Sequence, residues 1–296
     1  MAEVTAKLVK ELREMTGAGM MDCKKALTET DGDIEKAVDW LRQNGLAKAA
    51  KKEGRIAAEG LSRILINGNK AAIVEVNSET DFVAKNDQFI ALLDETLETI
   101  IASDAKTVEE ALALTCKEGT LADAFTNAVA TIGEKITLRR FEVIEKADDE
   151  TFGAYTHQGG RITAVTVVKG GDAQVAKNMA MQVASMNPTY VSRNDMPQDV
   201  VAHEREIQEG IVANDESLAN KPEKVKAGII EGRVSKSLQD MCLVDQEFFL
   251  DTNLKCKQYL KDNGAEVLKF VKYTVGEGIE KKQDDFAAEV AAMAQK

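Results

Sequence analysis

Two hairpin signals constrain this chain more than anything else in it. Leu61 to Ile66 and Ala71 to Asn77 flank Asn67-Gly68, the strongest short turn signal between apolar strands. Thr151 to His157 and Ile162 to Val168 flank Gln158-Gly159-Gly160 in the same way. Helical periodicity follows each hairpin: Phe89 to Leu93 with Leu97 and Ile100 after the first, and Val175, Met179 and Val183 after the second. The word Val83-Ala84-Lys85-Asn86 returns as Val175-Ala176-Lys177-Asn178, about as far into the second layout as into the first. A two-stranded hairpin is not stable alone, so each half must cover its small sheet with its own helices. The predicted fold class is α+β, with a two-subdomain core of small antiparallel sheets with helices.

The first core subdomain is placed at 60–145. Thr107-x-x-Glu110 is a capping-box pattern inside it, Leu121, Phe125, Ala128, Val129 and Ile132 share a helical face, and Ile136 to Val143 reads as a strand. The second occupies 146–186 and 239–275. There Phe248, Phe249 and Leu250 read as core, Leu254 to Leu260 as a helix, and Val267 to Val275 as a last strand. Between its halves, 187–238 reads as an inserted helical hairpin: Val200, Glu204, Ile207 and Ile211 face Val225, Ile229 and Val234 across the turn at Asn220-Lys221-Pro222. So thin a stripe calls for a partner or a symmetry mate. At the front, 1–45 reads as three helices, with Asp33 capping the third and Gly45 closing it. Residues 46–59, Ala/Lys-rich and without an apolar stripe, read as a helical linker. At the back, 276–296 reads as a helical docking module whose sparse face holds Phe286, Val290 and Met293.

Composition excludes more than it identifies. The net charge of −12 argues against general nucleic-acid binding, which needs a basic face. Only Lys48, Lys51, Lys52 and Arg55 cluster, and a solvated helix face is the expected reading. No apolar run approaches the roughly 20 residues of a membrane span. The chain opens directly into helical periodicity without signal- or transit-peptide features, so action in the cytoplasm is expected. The four cysteines, Cys23, Cys116, Cys242 and Cys256, lack metal or disulfide spacing and are expected to be reduced, structural thiols. No phosphate-cradling glycine loop, zinc signature or Ser/His/Asp arrangement is present. The carboxylate runs Glu109-Glu110, Asp148-Asp149-Glu150 and Asp284-Asp285 read as solvated surface rather than a hydrolase pair. No enzyme, no cofactor and no metal are expected.

One stretch asks for a function. Thr80-Asp81-Phe82-Val83-Ala84-Lys85-Asn86-Asp87 carries a large aromatic on a polar connection between a strand and a helix. Two readings are open. Phe82 packs into its own core while Thr80 or Asp81 caps the next helix. Alternatively, Phe82 is an exposed anchor for a partner's pocket, with Asp81 as a polar contact beside it.

The chain resembles the bacterial elongation factor Ts family in several segments. They are Leu12-Arg13-x-x-Thr16-Gly17-Ala18-Gly19-Met20-Met21-Asp22-Cys23-Lys24-Lys25-Ala26-Leu27, Gly32-Asp33 through Leu41-Arg42, Glu75-Val76-Asn77-x-x-Thr80-Asp81-Phe82-Val83-Ala84, Gly160-Arg161-Ile162, and Val275-Gly276-Glu277-Gly278-Ile279-Glu280-Lys281. The resemblance implies a guanine nucleotide exchange factor for elongation factor Tu, with a ubiquitin-associated-like (UBA-like) N-terminal domain, a dimerisation hairpin and a C-terminal docking module. It implies that Thr80, Asp81, Phe82 and Val83 form the magnesium-displacing motif, with Phe82 inserting between two helices of the partner's GTPase domain. Arg13, Met20 and Met21 would touch another helix of that domain, together with the module around Phe286. His157 would face the partner's third domain. The chain departs from the family's usual pattern at Gln246-Glu247-Phe248, at Asp251 to Cys256, and at Asn178 and Gln182, where some relatives have His. The rival reading is a scaffold that binds partners through the three-helix domain without exchanging anything.

Overall fold

Short local signals start and stop the N-terminal helices. Thr5 accepts a hydrogen bond from the Leu8 amide and opens α1 (Ala6–Thr16). After α2 (Met20–Glu29), Asp33 accepts from the Lys36 amide and opens α3 (Ile34–Lys52). Val9, Leu12, Cys23, Ala26, Leu27 and Ala37 close a small core between them. In the computed structural model the described residues are 4–117 and 119–280. They fall into two compact units. The first runs to Ile144 and takes in Gln158–Arg161 and the chain from Tyr273 onward; the second holds Glu145–His157 and Ile162–Lys272.

In the first unit, β1 (Glu59–Asn67) and β2 (Lys70–Ser78) pair antiparallel from Glu59↔Ser78 to Asn67↔Lys70. The connecting residues are therefore Gly68-Asn69, one step later than the Asn67-Gly68 signal. Next come α4 (Asp87–Ile101), α5 (Val108–Leu112) with its Thr107/Glu110 capping box, the short pair β3 (Thr115–Cys116) and β4 (Gly119–Thr120), α6 (Leu121–Ile132) and β5 (Thr137–Glu145). The sheet order is β1-β2-β5. Phe89, Leu93, Leu97 and Ile100 of α4 meet Leu121, Phe125 and Val129 of α6 and Val74 and Val76 of β2 in one core. The apolar run Ala72-Ile73-Val74-Glu75-Val76 lies in β2. The strand is central and buried on both faces, and Glu75 is fully enclosed.

The expected helix end at Gly45 is corrected. Helix α3 runs straight through it to Lys52, so the linker is half helix extension and half irregular chain. A Cβ at Gly45 would meet Ala130 Cβ at 3.5 Å and Thr126 Cγ2 at 3.9 Å. Both are ordinary van der Waals distances, so α3 packs on α6 here with room for a methyl group.

In the second unit, β6 (Glu150–His157) and β7 (Ile162–Gly170) pair antiparallel and close at His157↔Ile162. The chain continues through α7 (Ala173–Met186), α8 (Gln198–Ala213), α9 (Glu223–Met241), β8 (Glu247–Phe248), β9 (Asp251–Lys255), α10 (Cys256–Asp262) and β10 (Ala265–Thr274). Its sheet order is β10-β7-β6. In both sheets the second hairpin strand is central and a later strand lies on its far side. The repeated word does not survive as an equivalence: Val83–Lys85 form a 3-10 turn ahead of α4, whereas Val175 to Asn178 lie within α7. Two further readings are corrected. Leu254 and Lys255 belong to β9, because that stretch pairs with β8, and Leu250 is exposed at the tip of this hairpin while Phe248 is buried.

Helices α8 and α9 pack on each other. Their apolar cluster of Met196, Val234, Leu238 and Cys242 lies at one end, whereas Ile207, Ile211 and Val225 stay exposed. Gln246 and Gln182 are buried partners. Gln182 donates to Gln246 Oε1 at 3.1 Å and accepts from the Phe249 amide at 2.8 Å, and Gln246 in turn donates to the Asp240 carbonyl at 2.7 Å. Asn178 donates to Tyr259 Oη at 2.8 Å. Gln182 and Asn178 thus each find hydrogen-bond partners inside the second unit.

Candidate functional site: an exposed aromatic on a braced loop

Strand β2 delivers the chain to Ser78, and Asn86 begins α4. The loop between them is held from both sides. Glu134, just beyond α6, accepts from the Thr80 amide at 2.9 Å and from Thr80 Oγ1 at 2.6 Å. Glu79 accepts from the Lys135 amide at 2.6 Å and pairs with Arg55 at 3.2 Å. Ser78 Oγ donates to the Thr80 carbonyl at 2.9 Å. Beyond the loop's apex, Val83 and Ala84 are buried and the Lys85 amide donates to the Phe82 carbonyl at 3.1 Å. Phe82 is left standing between these anchors, 79% exposed. Its φ of −66° and ψ of −41° are unstrained, so fixed neighbours, not a distorted backbone, present the ring.

The reading that packs Phe82 into its own core is therefore overturned. Capping by Thr80 or Asp81 is overturned too. Asn86 caps α4, its Oδ1 accepting from the Gln88 and Phe89 amides at 2.8 and 3.3 Å. Asp81 faces Lys85 at 3.4 Å with both side chains largely in water, a pair worth little in stability.

The remaining sequence-derived candidates lie elsewhere. Arg13, Met20 and Met21 are exposed around the turn between α1 and α2, as is Met15. His157 is exposed at the end of β6 in the second unit, its ring stacked on Tyr155 and its Nδ1 3.2 Å from the Tyr155 hydroxyl. Phe286 lies outside the described residues, as does most of 276–296.

Sequence reasoning missed a second braced point in the first unit. Glu75 receives Arg139 Nη1 at 2.9 Å, Arg140 Nε at 2.6 Å and the Gly276 amide at 2.9 Å. Burial pushes its carboxyl up, but the Gly276 amide and the two guanidiniums outweigh that and hold it below the ordinary glutamate value. Gly276 can approach because a Cβ there would stand 2.1 Å from the Ala58 carbonyl oxygen, and its φ is +73°.

A cavity of about 290 Å³ lies between the N-terminal helices and α6, with Asp22, Lys25, Trp40 and Asp123 in its wall. Arg42 pairs with Asp123 at 2.7 Å and Lys48 with Asp22 at 2.8 Å. Opposite charges paired on its walls leave no single-sign field to draw in a phosphate. Among the described residues no group of His, Cys, Asp and Glu is arranged to hold a metal ion. Cys23, Cys242 and Cys256 are buried free thiols, and burial pushes Cys256 up to about 12, so it carries little thiolate at neutral pH.

Fold and site together define a modular α+β protein equipped for contact with another macromolecule, with an exposed aromatic held on a braced loop. The family model for elongation factor Ts matches residues 79–277, beginning at the loop itself. The chain belongs to the elongation factor Ts family, and its role is in translation elongation.

Proposed function

We propose that the chain is a guanine nucleotide exchange factor for elongation factor Tu, and that Thr80, Asp81, Phe82 and Val83 disturb that GTPase's magnesium and phosphate site. The observation that carries this reading is Phe82, 79% exposed on a loop tied down on both sides. A GTPase holds GDP through backbone amides and through Mg²⁺ on the phosphate oxygens. An exchange factor must bind the nucleotide-free state better than the nucleotide-bound one, and linkage makes nucleotide weaken the factor by the same ratio. Phe82 supplies that difference if its pocket opens only in the distorted state.

The other modules add grip rather than chemistry. Arg13, Met20 and Met21 on a UBA-like three-helix domain (1–45) form one docking patch. His157 forms another on the second core subdomain (146–186 and 239–275), and the C-terminal module (276–296) around Phe286 a third. Together they keep the ring at high effective concentration beside its target. The inserted helical hairpin (187–238), built on α8 and most of α9, joins two copies of the chain through its exposed isoleucines. No turnover belongs to the chain alone. The test is release of fluorescent GDP from elongation factor Tu with and without the protein. Faster release is expected, and an unchanged rate with demonstrable binding would leave only the scaffold reading.

A further inference from the structure

The braced loop has a feature that an exposed contact residue does not require. Two carboxylates make reciprocal contacts between the loop after β2 and the turn between α6 and β5. Glu134 takes both polar hydrogens of Thr80, and Glu79 takes the amide of Lys135, the residue next to Glu134. The same turn is tied to the end of α3: Lys135 Nζ donates to the carbonyls of Glu53 and Arg55 at 2.5 and 3.0 Å. Arg55 closes the circuit on Glu79. Carboxylate bonds to N–H and O–H groups at such distances are the strong, charge-assisted kind. The carboxylate oxygens go to Thr80, Lys135 and Arg55. The clasp therefore fixes where Phe82 points without adding to the contact surface.

We propose that Glu134 is a positioning residue for Phe82, and that the Glu79–Lys135–Arg55 ties make the end of α3 the fixed mount from which the ring is aimed. The proposal rests on the exchange-factor reading. It makes the N-terminal helices part of the exchange device: a partner held at α1–α3 is held in register with the ring. Loss of the clasp leaves every docking surface in place but lets the ring wander, and misplacement by about 1 Å is enough to cost on the order of 100-fold in a positioned step.

The experiment is a cycle on the full chain with Glu134→Ala, Phe82→Ala and both together. It measures GDP release from elongation factor Tu at saturating factor, the half-saturating concentration, and the melting curve. Expected are a fall of about 10-fold or more in the saturating rate for Glu134→Ala, a half-saturating concentration changed by less than about 3-fold, and a double variant no slower than Phe82→Ala alone. Glu134→Gln keeps one acceptor oxygen for the Thr80 amide and turns the other contact into a donor that Thr80 Oγ1 can accept, so it should recover part of the rate. A Glu134→Ala that matches the parent, that changes only the half-saturating concentration, or whose effect multiplies with that of Phe82→Ala overturns the proposal. Should Glu134→Ala fail to fold, Thr80→Val, which removes one of the two bonds, carries the same cycle. If Phe82→Ala itself releases GDP at the parental rate, the wedge reading fails and the inference falls with it. If Phe82→Ala is slow and Glu134→Ala is not, only the inference fails.

Discussion

Replacing Phe82 by Ala separates a wedge from a core residue by the sign of two measurements. In the free protein 79% of the residue is in water, so truncation forfeits little packing. Its helical φ and ψ suit Ala equally well. Stability should change by no more than about 0.5 kcal/mol, as at other surface positions. In the complex the whole ring is still to be buried. A phenylalanine side chain is worth about 1.5–3 kcal/mol on full burial, or roughly 10- to 100-fold in an equilibrium. If the pocket exists only in the distorted GTPase, that factor should appear in GDP release at saturating Phe82→Ala and in affinity for nucleotide-free elongation factor Tu. Affinity for the GDP-bound form should hold. Stopped-flow release of a fluorescent GDP, titrations against both nucleotide states and a thermal melt complete the test. A loss of several kcal/mol in the melt would mean that the ring is core; a parental release rate would remove it from the mechanism.

Asn86→Ala should cost about 1 kcal/mol by uncapping α4, whereas Asp81→Asn should leave the melt alone and slow GDP release; parental release by Asp81→Asn would show that its charge does nothing at the partner. Removing His203–Ile229 and closing the gap with a short Gly/Ser linker leaves the backbone bridge between Tyr190 and Cys242 in place. Exchange should persist while light scattering reports a monomer, and a dimeric mass would refute pairing through Ile207, Ile211 and Val225. Glu75 titrates below the ordinary glutamate value of about 4.3 in the folded chain, so its contribution is fully present above that pH and is lost as pH falls through the lower folded value. Glu75→Gln should cost about 3 kcal/mol at neutral pH and flatten the acid limb of the stability curve; equally steep acid limbs would count against the cluster.

What could be read in the sequence was what neighbours in the chain decide. Asp33 three residues before Lys36, Thr107 three before Glu110, and both hairpins carry their partners within a few positions. Gly45 misled because a helix that ends at a glycine and one that runs on through it look alike until the packing of α3 on α6 is in place. The Phe82 loop remained open on local grounds, since the groups that hold its base, Glu134 and Lys135, lie far along the chain. Glu75 drew no notice as a buried centre because its partners Arg139, Arg140 and Gly276 lie far along the chain. The resemblance pointed to Thr80–Val83 but not to the carboxylates that grip them, for which spacing offers no signal.

The bond from Gly276 to Glu75 also has a meaning in time. The β1-β2-β5 sheet and both arginines emerge early in synthesis, but the amide that completes the coordination of Glu75 spans 201 residues. At ribosomal rates of roughly 5–20 residues per second, the nascent sheet waits on the order of ten seconds for its last donor. During that wait the buried carboxylate has only the two guanidiniums and the Asn77 side-chain amide as partners. Docking of the Gly276 amide is thus a late step of maturation, and a ribosome stalled before it would display the first unit with Glu75 one donor short.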